Sequence, residues 1–225
     1  MEIKPIARIH TDFPEKFGVP RQSGLAASLT GQIVFEPEYR CVQALKELDG
    51  FSHIWLIWEF SQCPDLKFSP TVRPPRLGGN RRVGVFASRS PFRPNRLGLS
   101  CVKVEKIETQ GKNAPVITVS GIDMTDGTPI YDIKPYIPLA DCITEASDGY
   151  TAQTKDYKIK VNCDETLLTQ IPEEKRASLL ELLANDPRPA YKNEDGKEYG
   201  VTFAGCNIRF RYESNSLSVT AIEEV

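Results

Sequence analysis

Five short apolar runs divide the first two-thirds of this chain, and their length and spacing limit its fold more than any other feature. Gln32 to Glu36, Ile54 to Phe60, Arg82 to Ser88, Cys101 to Ile107 and Val116 to Gly121 are rich in Val, Ile, Phe or Trp, with Gly, Pro and Asp clusters between them. That is the grammar of strands. Short strands in regular succession predict a barrel or a sandwich. One short helix is expected at Tyr39 to Leu48, where Val42, Leu45 and Leu48 fall at helical spacing before Asp49-Gly50. It would plug one end of a barrel.

The pattern changes after EASDGYTAQT, residues 145–154, which has no apolar period and reads as a linker. Beyond it come a strand at Tyr157 to Val161, a helix from Pro172 to about Ala184, and strands near Tyr199 to Phe203, Asn207 to Tyr212 and Leu217 to Ile222. The helix carries Glu173 and Glu174 in its first turn and would bury Leu179, Leu180, Leu182 and Leu183. The expected fold is mainly β: a β domain over residues 1–146, then a small α+β domain over 147–225.

Chemistry concentrates in VGVFASRSPFRPNRLGLS, Val83 to Ser100. VGVFAS reads as a strand with both faces partly buried, and the arginines begin where it ends. Pro91 and Pro94 exclude a helix and stiffen the turn, so Arg89, Arg93 and Asn95 become fixed donors suited to a carboxylate or phosphate. The competing reading is a solvated surface turn. Residues 64–100 hold eight basic side chains against the single acid Asp65, a local +7 in a chain of formal charge −2, which leaves −9 elsewhere. Such clustering points to a local anion-binding face, with RNA as a natural partner.

Several chemistries are disfavoured. The six cysteines lie too far apart for any CxxC pair and there are two histidines, so a zinc or iron–sulfur centre is not expected. Reduced thiols and a cytoplasmic location are expected, with Cys41, Cys101 and Cys206 as small buried hydrophobes. No GxGxxG, GxxxxGK[ST], HExxH or GxSxG occurs, and neither a signal peptide nor a run long enough to span a membrane is visible.

Three further constellations are candidates. PRQSGLAAS, residues 20–28, is a loop in which Gly24 would let a ligand approach the backbone, or else a plain turn. TVRPPRLGGNRR, residues 71–82, suits an RNA-facing loop with Arg73, Arg76 and Arg81. GIDMTDGTPIYDIKPYIP, residues 121–138, groups Asp123, Asp126, Asp132, Lys134 and Tyr136 about an Asp-Gly turn, with a surface ion-pair group as the alternative.

The runs EKFGVPRQSGL, LDGFSHIWLIWEF, PTVRPPRLGGNRRVGVFASRSPFRPNRLGLS, GIDMTDGTPIYDIKPYIP and DPRPAY, in this order, closely resemble the TsaA-like (TrmO) family of tRNA methyltransferases over almost the whole chain. The resemblance implies an antiparallel β-barrel enzyme that uses S-adenosylmethionine and works as a homodimer. Its reaction would be N6-methylation of threonylcarbamoyl-adenosine in the tRNA anticodon loop. Cofactor contacts implied by the likeness fall on Ser23, Gly24, Leu25, Ser61, Gln62, Arg89, Leu99, Ser120, Gly121, Ile122 and Asp123. Ser23 and Ser61 replace other residue types of the family, which implies contact through their backbone.

For the tRNA, the expected contacts are Arg73, Arg76, Arg81, Arg93, Asn95 and Arg188, with Tyr136 and Tyr191 as stacking platforms for splayed bases. Arg188→Ala is expected to weaken tRNA use and spare cofactor affinity. A carbamoylated N6 is a poor nucleophile and must lose a proton; Asp126, Asp132 and Lys134 are the candidates to receive it. Two other functions stay open: a non-catalytic RNA-binding barrel that senses S-adenosylmethionine, and a small-molecule methyltransferase of the same fold.

Overall fold

A computed structural model describes residues 2–63, 67–77, 81–155, 157–188, 196–213 and 215–225. Its first part is a closed barrel of β1 (Ala7–Thr11), β2 (Thr30–Phe35), β3 (His53–Glu59), β6 (Leu97–Glu108), β7 (Val116–Ser120) and β8 (Thr128–Pro135). Around the barrel the order is β1-β2-β7-β6-β3-β8, and every pairing is antiparallel. Alternation explains the closure. In β3, Ile54, Leu56 and Trp58 are buried while His53, Trp55, Ile57 and Glu59 are only half-buried, so one face of each strand fills the interior.

A two-stranded ladder of β4 (Thr71–Val72) and β5 (Val83–Gly84) stands apart from the barrel. The expected strand from Arg82 to Ser88 therefore ends early. Its partner is bounded by Pro70 and Pro74, which donate no ladder bond, and residues Val85–Ala87 turn into a 3₁₀ helix that leaves Phe86 72% exposed. The helix expected at Tyr39 to Leu48 is likewise three 3₁₀ turns, at Pro37–Tyr39, Val42–Leu45 and Leu48–Gly50. A strict spacing of three fits the 3₁₀ period better than the α period. Leu45 and Leu48 still pack against the core, while Val42 is exposed.

The second part is a four-stranded sheet in the order β10 (Glu198–Phe203), β11 (Cys206–Glu213), β12 (Ser216–Glu224), β9 (Lys160–Asn162). Two helices go with it, α2 (Glu165–Leu168) and α3 (Glu173–Ala184), while α1 (Pro138–Asp141) follows barrel strand β8 directly. Along α3, Leu179, Leu182 and Leu183 are buried and Leu180 is partly exposed. One continuous apolar core joins this sheet to the barrel, and Phe13 meets Phe203 with ring centroids 5.3 Å apart. The segment expected to be a linker folds into a 3₁₀ helix at Gly149–Gln153. Hydroxyls supply what apolar spacing does not: Thr151 Oγ1 donates to the Asp148 carbonyl at 2.6 Å.

All six cysteines are free; Cys206 and Cys63 are buried, Cys101 is intermediate, and Cys41 is exposed, against the expectation that it is buried. Among the described residues no group of His, Cys, Asp or Glu could hold a metal, and no helix is long and apolar enough to cross a membrane.

Candidate active site

Where the barrel mouth, the arginine loop and the 145–155 segment meet, they enclose a cleft of about 1140 Å³. Leu25, Ser61, Gln62, Arg89, Leu99 and Asp123 line it, as do Arg73, Arg76 and Arg93. Its apolar wall comes from Trp58, Phe92, Leu97, Leu99 and Met124. These nine expected positions run from residue 25 to residue 123, and the fold brings them to one cleft although only Leu99 lies in a strand.

Asp123 is the centre of this arrangement. Its Oδ1 accepts from Ser100 Oγ at 2.6 Å, and Ser100 Oγ accepts in turn from Trp58 Nε1 at 2.9 Å. The Ser23 backbone N–H also donates to its carboxylate, and Arg89 lies within electrostatic reach. Burial pushes its pKa up from 3.8 to about 6, with Ser100, Ser23 and Arg89 opposing that shift. The other carboxylate of the cleft, Glu59, is already engaged by Tyr131 at 2.5 Å and Arg96 at 3.5 Å.

Two glycines make this geometry possible. Gly121 has φ +75° and its carbonyl accepts from Gly24 N–H at 2.9 Å, which ties the 20–28 loop to the end of β7. Gly98 lies under the Trp58 indole: a Cβ there would stand 2.3 Å from the ring. Gly98→Ala is thus expected to push Trp58 off Ser100 and cost about 1–3 kcal/mol, as overpacking does. A lower melting temperature with altered tryptophan fluorescence would report it; an unchanged spectrum would show that the ring is not held there.

The remaining expected residues are placed as follows. Ser120 turns its hydroxyl to Glu105 at 2.6 Å and Ile122 is buried in the core, so neither side chain lines the cleft. Arg93 lines the cleft but donates to the carbonyls of Val85 at 3.0 Å and Ser88 at 2.6 Å, which fixes its own loop. Arg81 and Asn95 are exposed and Tyr136 packs on the outer barrel surface against Trp55, with centroids 5.8 Å apart. Tyr191 lies outside the described residues.

Four expectations are corrected by geometry. Asp126 is exposed, accepting from the Thr11 N–H at 3.0 Å and sharing a hydrogen bond with His10. Asp132 and Lys134 form a surface ion pair of 2.9 Å along β8. None of these three lines the cleft: Asp132 and Lys134 pair on the surface of β8, and Asp126 lies in the turn before that strand. Arg188, expected to meet tRNA, is 4% exposed and bound to Asp186 through two bonds of 2.8 Å.

Sequence reading missed Trp58 and Ser100, whose link to Asp123 needs three strands to be aligned. It also missed the contribution of Tyr150, Thr151, Thr154 and Lys155, which line the cleft from the 145–155 segment. No local signal marks them.

Residues 8–142 match the tRNA-methyltransferase O N-terminal domain and residues 156–225 match the TrmO C-terminal domain. The chain belongs to the tRNA-methyltransferase O family. Members are tRNA methyltransferases, and the match extends over both parts of the fold. The tRNA (adenine(37)-N6)-methyltransferase of Escherichia coli is 38% identical, over 99% of this chain and 97% of the relative. A putative S-adenosylmethionine-dependent methyltransferase of Pseudomonas aeruginosa, RcsF, is 42% identical over 93% and 92%. A crystal structure of TrmO from P. aeruginosa superposes with a TM-score of 0.80 at 33% identity, covering 100% of this chain and 97% of that one. The family thus has both the closed barrel and the C-terminal sheet found here.

Proposed function

We propose that this chain methylates N6 of the adenosine just 3′ of the anticodon in tRNA, using S-adenosylmethionine, and that its substrate base carries a threonylcarbamoyl group. The observation that carries this reading is the Asp123 carboxylate in a cleft lined by many basic and apolar side chains, whose other acid, Glu59, is already engaged. S-adenosylmethionine fits this donor set. Arg89 offers a planar fork to its carboxylate, Trp58, Phe92 and Leu99 offer apolar surface, and Asp123 offers negative charge to its sulfonium. When bound, it supplies an electrophilic methyl group with a neutral thioether as leaving group.

The chain's own work is alignment and proton removal. Holding the base nitrogen in line with the methyl can supply several kcal/mol, on the order of 7 at best. As N6 forms its bond to the methyl, its proton leaves to Asp123, whose raised pKa near 6 suits a base that is ionised at neutral pH yet able to accept. This reassigns proton acceptance from Asp126, Asp132 and Lys134 to Asp123. Exposed Arg73 and Arg82 on the cleft rim suit the phosphates of a single-stranded loop.

The homodimer and the cytoplasmic location belong to the same proposal. An apolar surface crosses the outer barrel from Leu99 (49% exposed) over Trp55 and Tyr136 to Ile137, Leu139 and Ile143; Leu139 is 97% exposed. A second copy seated there would lie beside the cleft, which Leu99 also lines. Leu139→Glu is expected to convert the dimer to monomer in sedimentation experiments; a variant that sediments like the parent would place the interface elsewhere.

The reaction is tested with labelled S-adenosylmethionine and two tRNA preparations, with and without the threonylcarbamoyl group. Label confined to the first, in the nucleoside beside the anticodon, supports the proposal. Label in neither, with the cofactor still bound, favours the sensor reading.

A further inference from the structure

At the end of the cleft formed by the 145–155 segment lies a group of arginines that methyl transfer does not use. Arg21 and Arg76 both line the cleft. Arg21 donates through Nη2 to the Arg188 carbonyl at 2.7 Å and to the Asp186 carbonyl at 3.4 Å. Arg76 donates through Nη1 to the Thr154 carbonyl at 3.3 Å and lies over the Tyr157 ring, 5.7 Å from its centroid. Tyr157 in turn donates to Asp186 Oδ2 at 2.8 Å.

Among the described residues this frame carries more positive than negative charge. Among the described residues Asp186 is its one carboxylate, and Arg188 already takes it with two bonds. Tyr157 is neutral, since burial and then Asp186 push its pKa up to about 12. Three guanidiniums therefore face one negative charge. Arg76 Nε is buried with no hydrogen-bond partner, an arrangement that costs free energy unless an acceptor arrives. Burial and then the neighbouring charge of Arg76 lower the pKa of Arg21. An oxyanion placed between the two would relieve both the repulsion and the missing bond.

We propose that Arg21 and Arg76 form a substrate-oxyanion subsite, distinct from the Asp123 end of the cleft, that takes one carboxylate or phosphate oxygen pair of the tRNA. The two sources are a carboxylate borne on the substrate base and a backbone phosphate. The proposal rests on the tRNA-methylation reading above. Separating acidic and basic ends along one cleft orients the substrate: its anion goes to the arginines while its nucleophilic nitrogen meets Asp123. With the base carboxylate as that anion, selectivity for a charged substituent follows, because an uncharged analogue would leave Arg76 Nε without an acceptor.

Binding of three anticodon stem-loop RNAs tests this, in the presence of S-adenosylhomocysteine: one with the threonylcarbamoyl carboxylate free, one with it as the N-methyl amide, and one with unmodified adenosine. For Arg76→Gln the expected result is a loss of about 10- to 100-fold in affinity, the scale of charge-assisted hydrogen bonds, with S-adenosylhomocysteine affinity unchanged. A loss confined to the free-carboxylate RNA assigns the anion to the base; an equal loss for all three assigns it to a phosphate. Loss of S-adenosylhomocysteine binding, or no change with any RNA, overturns the subsite. Arg76→Lys, which keeps the charge without the fork, is expected to fall between the two and guards against a folding defect in the glutamine variant. If the parent protein binds none of the RNAs, it is the tRNA reading itself that fails.

Discussion

Replacing Asp123 by asparagine is expected to lower kcat/KM by about 10²- to 10⁴-fold, the usual contribution of a positioned base. In the parent, kcat/KM should rise with pH through an apparent pKa near 6, since that is where the Asp123 carboxyl loses its proton. The variant should lack this limb. Stability moves the opposite way. The folded pKa of about 6 lies above the ordinary 3.8, so the native state binds this proton more tightly than the unfolded chain does. The stabilisation is complete below pH 3.8 and is lost as pH rises through 6, a change of about 3 kcal/mol at most. Denaturant melts at pH 4 to 8 should show that slope in the parent and not in Asp123→Asn. An active variant with an unaltered pH profile would remove Asp123 from the chemistry.

Arg188→Ala is expected to destabilise the protein by about 3 kcal/mol, because it removes the buried ion pair and leaves the Asp186 carboxylate with Tyr157 as its hydrogen-bond donor among the described side chains. The effect should not stop at the C-terminal sheet. Arg188 also stacks on Tyr212, 3.3 Å from the ring centroid, and its carbonyl holds Arg21. Next to it Asn185 donates to the Leu25 carbonyl at 2.9 Å, and Glu181 accepts from the N–H groups of Ala27 at 3.1 Å and Ser28 at 3.0 Å. The C-terminal helix therefore grips the loop whose Leu25 lines the cleft and whose Ser23 N–H holds Asp123. Arg188→Ala should weaken S-adenosylmethionine and tRNA binding together, in titrations of each. A loss restricted to tRNA would return Arg188 to the role of a direct contact.

The strands were legible where one face is apolar and the other is not. His53–Glu59, Leu97–Glu108 and Val116–Ser120 show this alternation, and so does the C-terminal meander. Helical spacing at Val42, Leu45 and Leu48 misled because residues three apart lie on one face of either helix type, and only packing distinguishes them. The 145–155 segment was unreadable for another reason. Its order comes from Thr hydroxyls capping nearby carbonyls and from Arg76 reaching across, and neither leaves a periodic trace.

By itself, the sequence determined the strand pattern, the clustering of positive charge in residues 64–100 and the long ordered motifs that mark the family. Those are properties of composition and local spacing, which survive without coordinates. Only the tertiary structure decided which charged groups are free to act. Arg93, Arg188 and Asp132 look like ligand contacts on paper, yet each is engaged by a carbonyl or an opposite charge from its own fold. Asp123 and Arg76 are left in the cleft with capacity to spare. Since a guanidinium or carboxylate is used up by whatever partner folding brings within about 3 Å, its availability is set by distant residues, and a linear chain cannot display it.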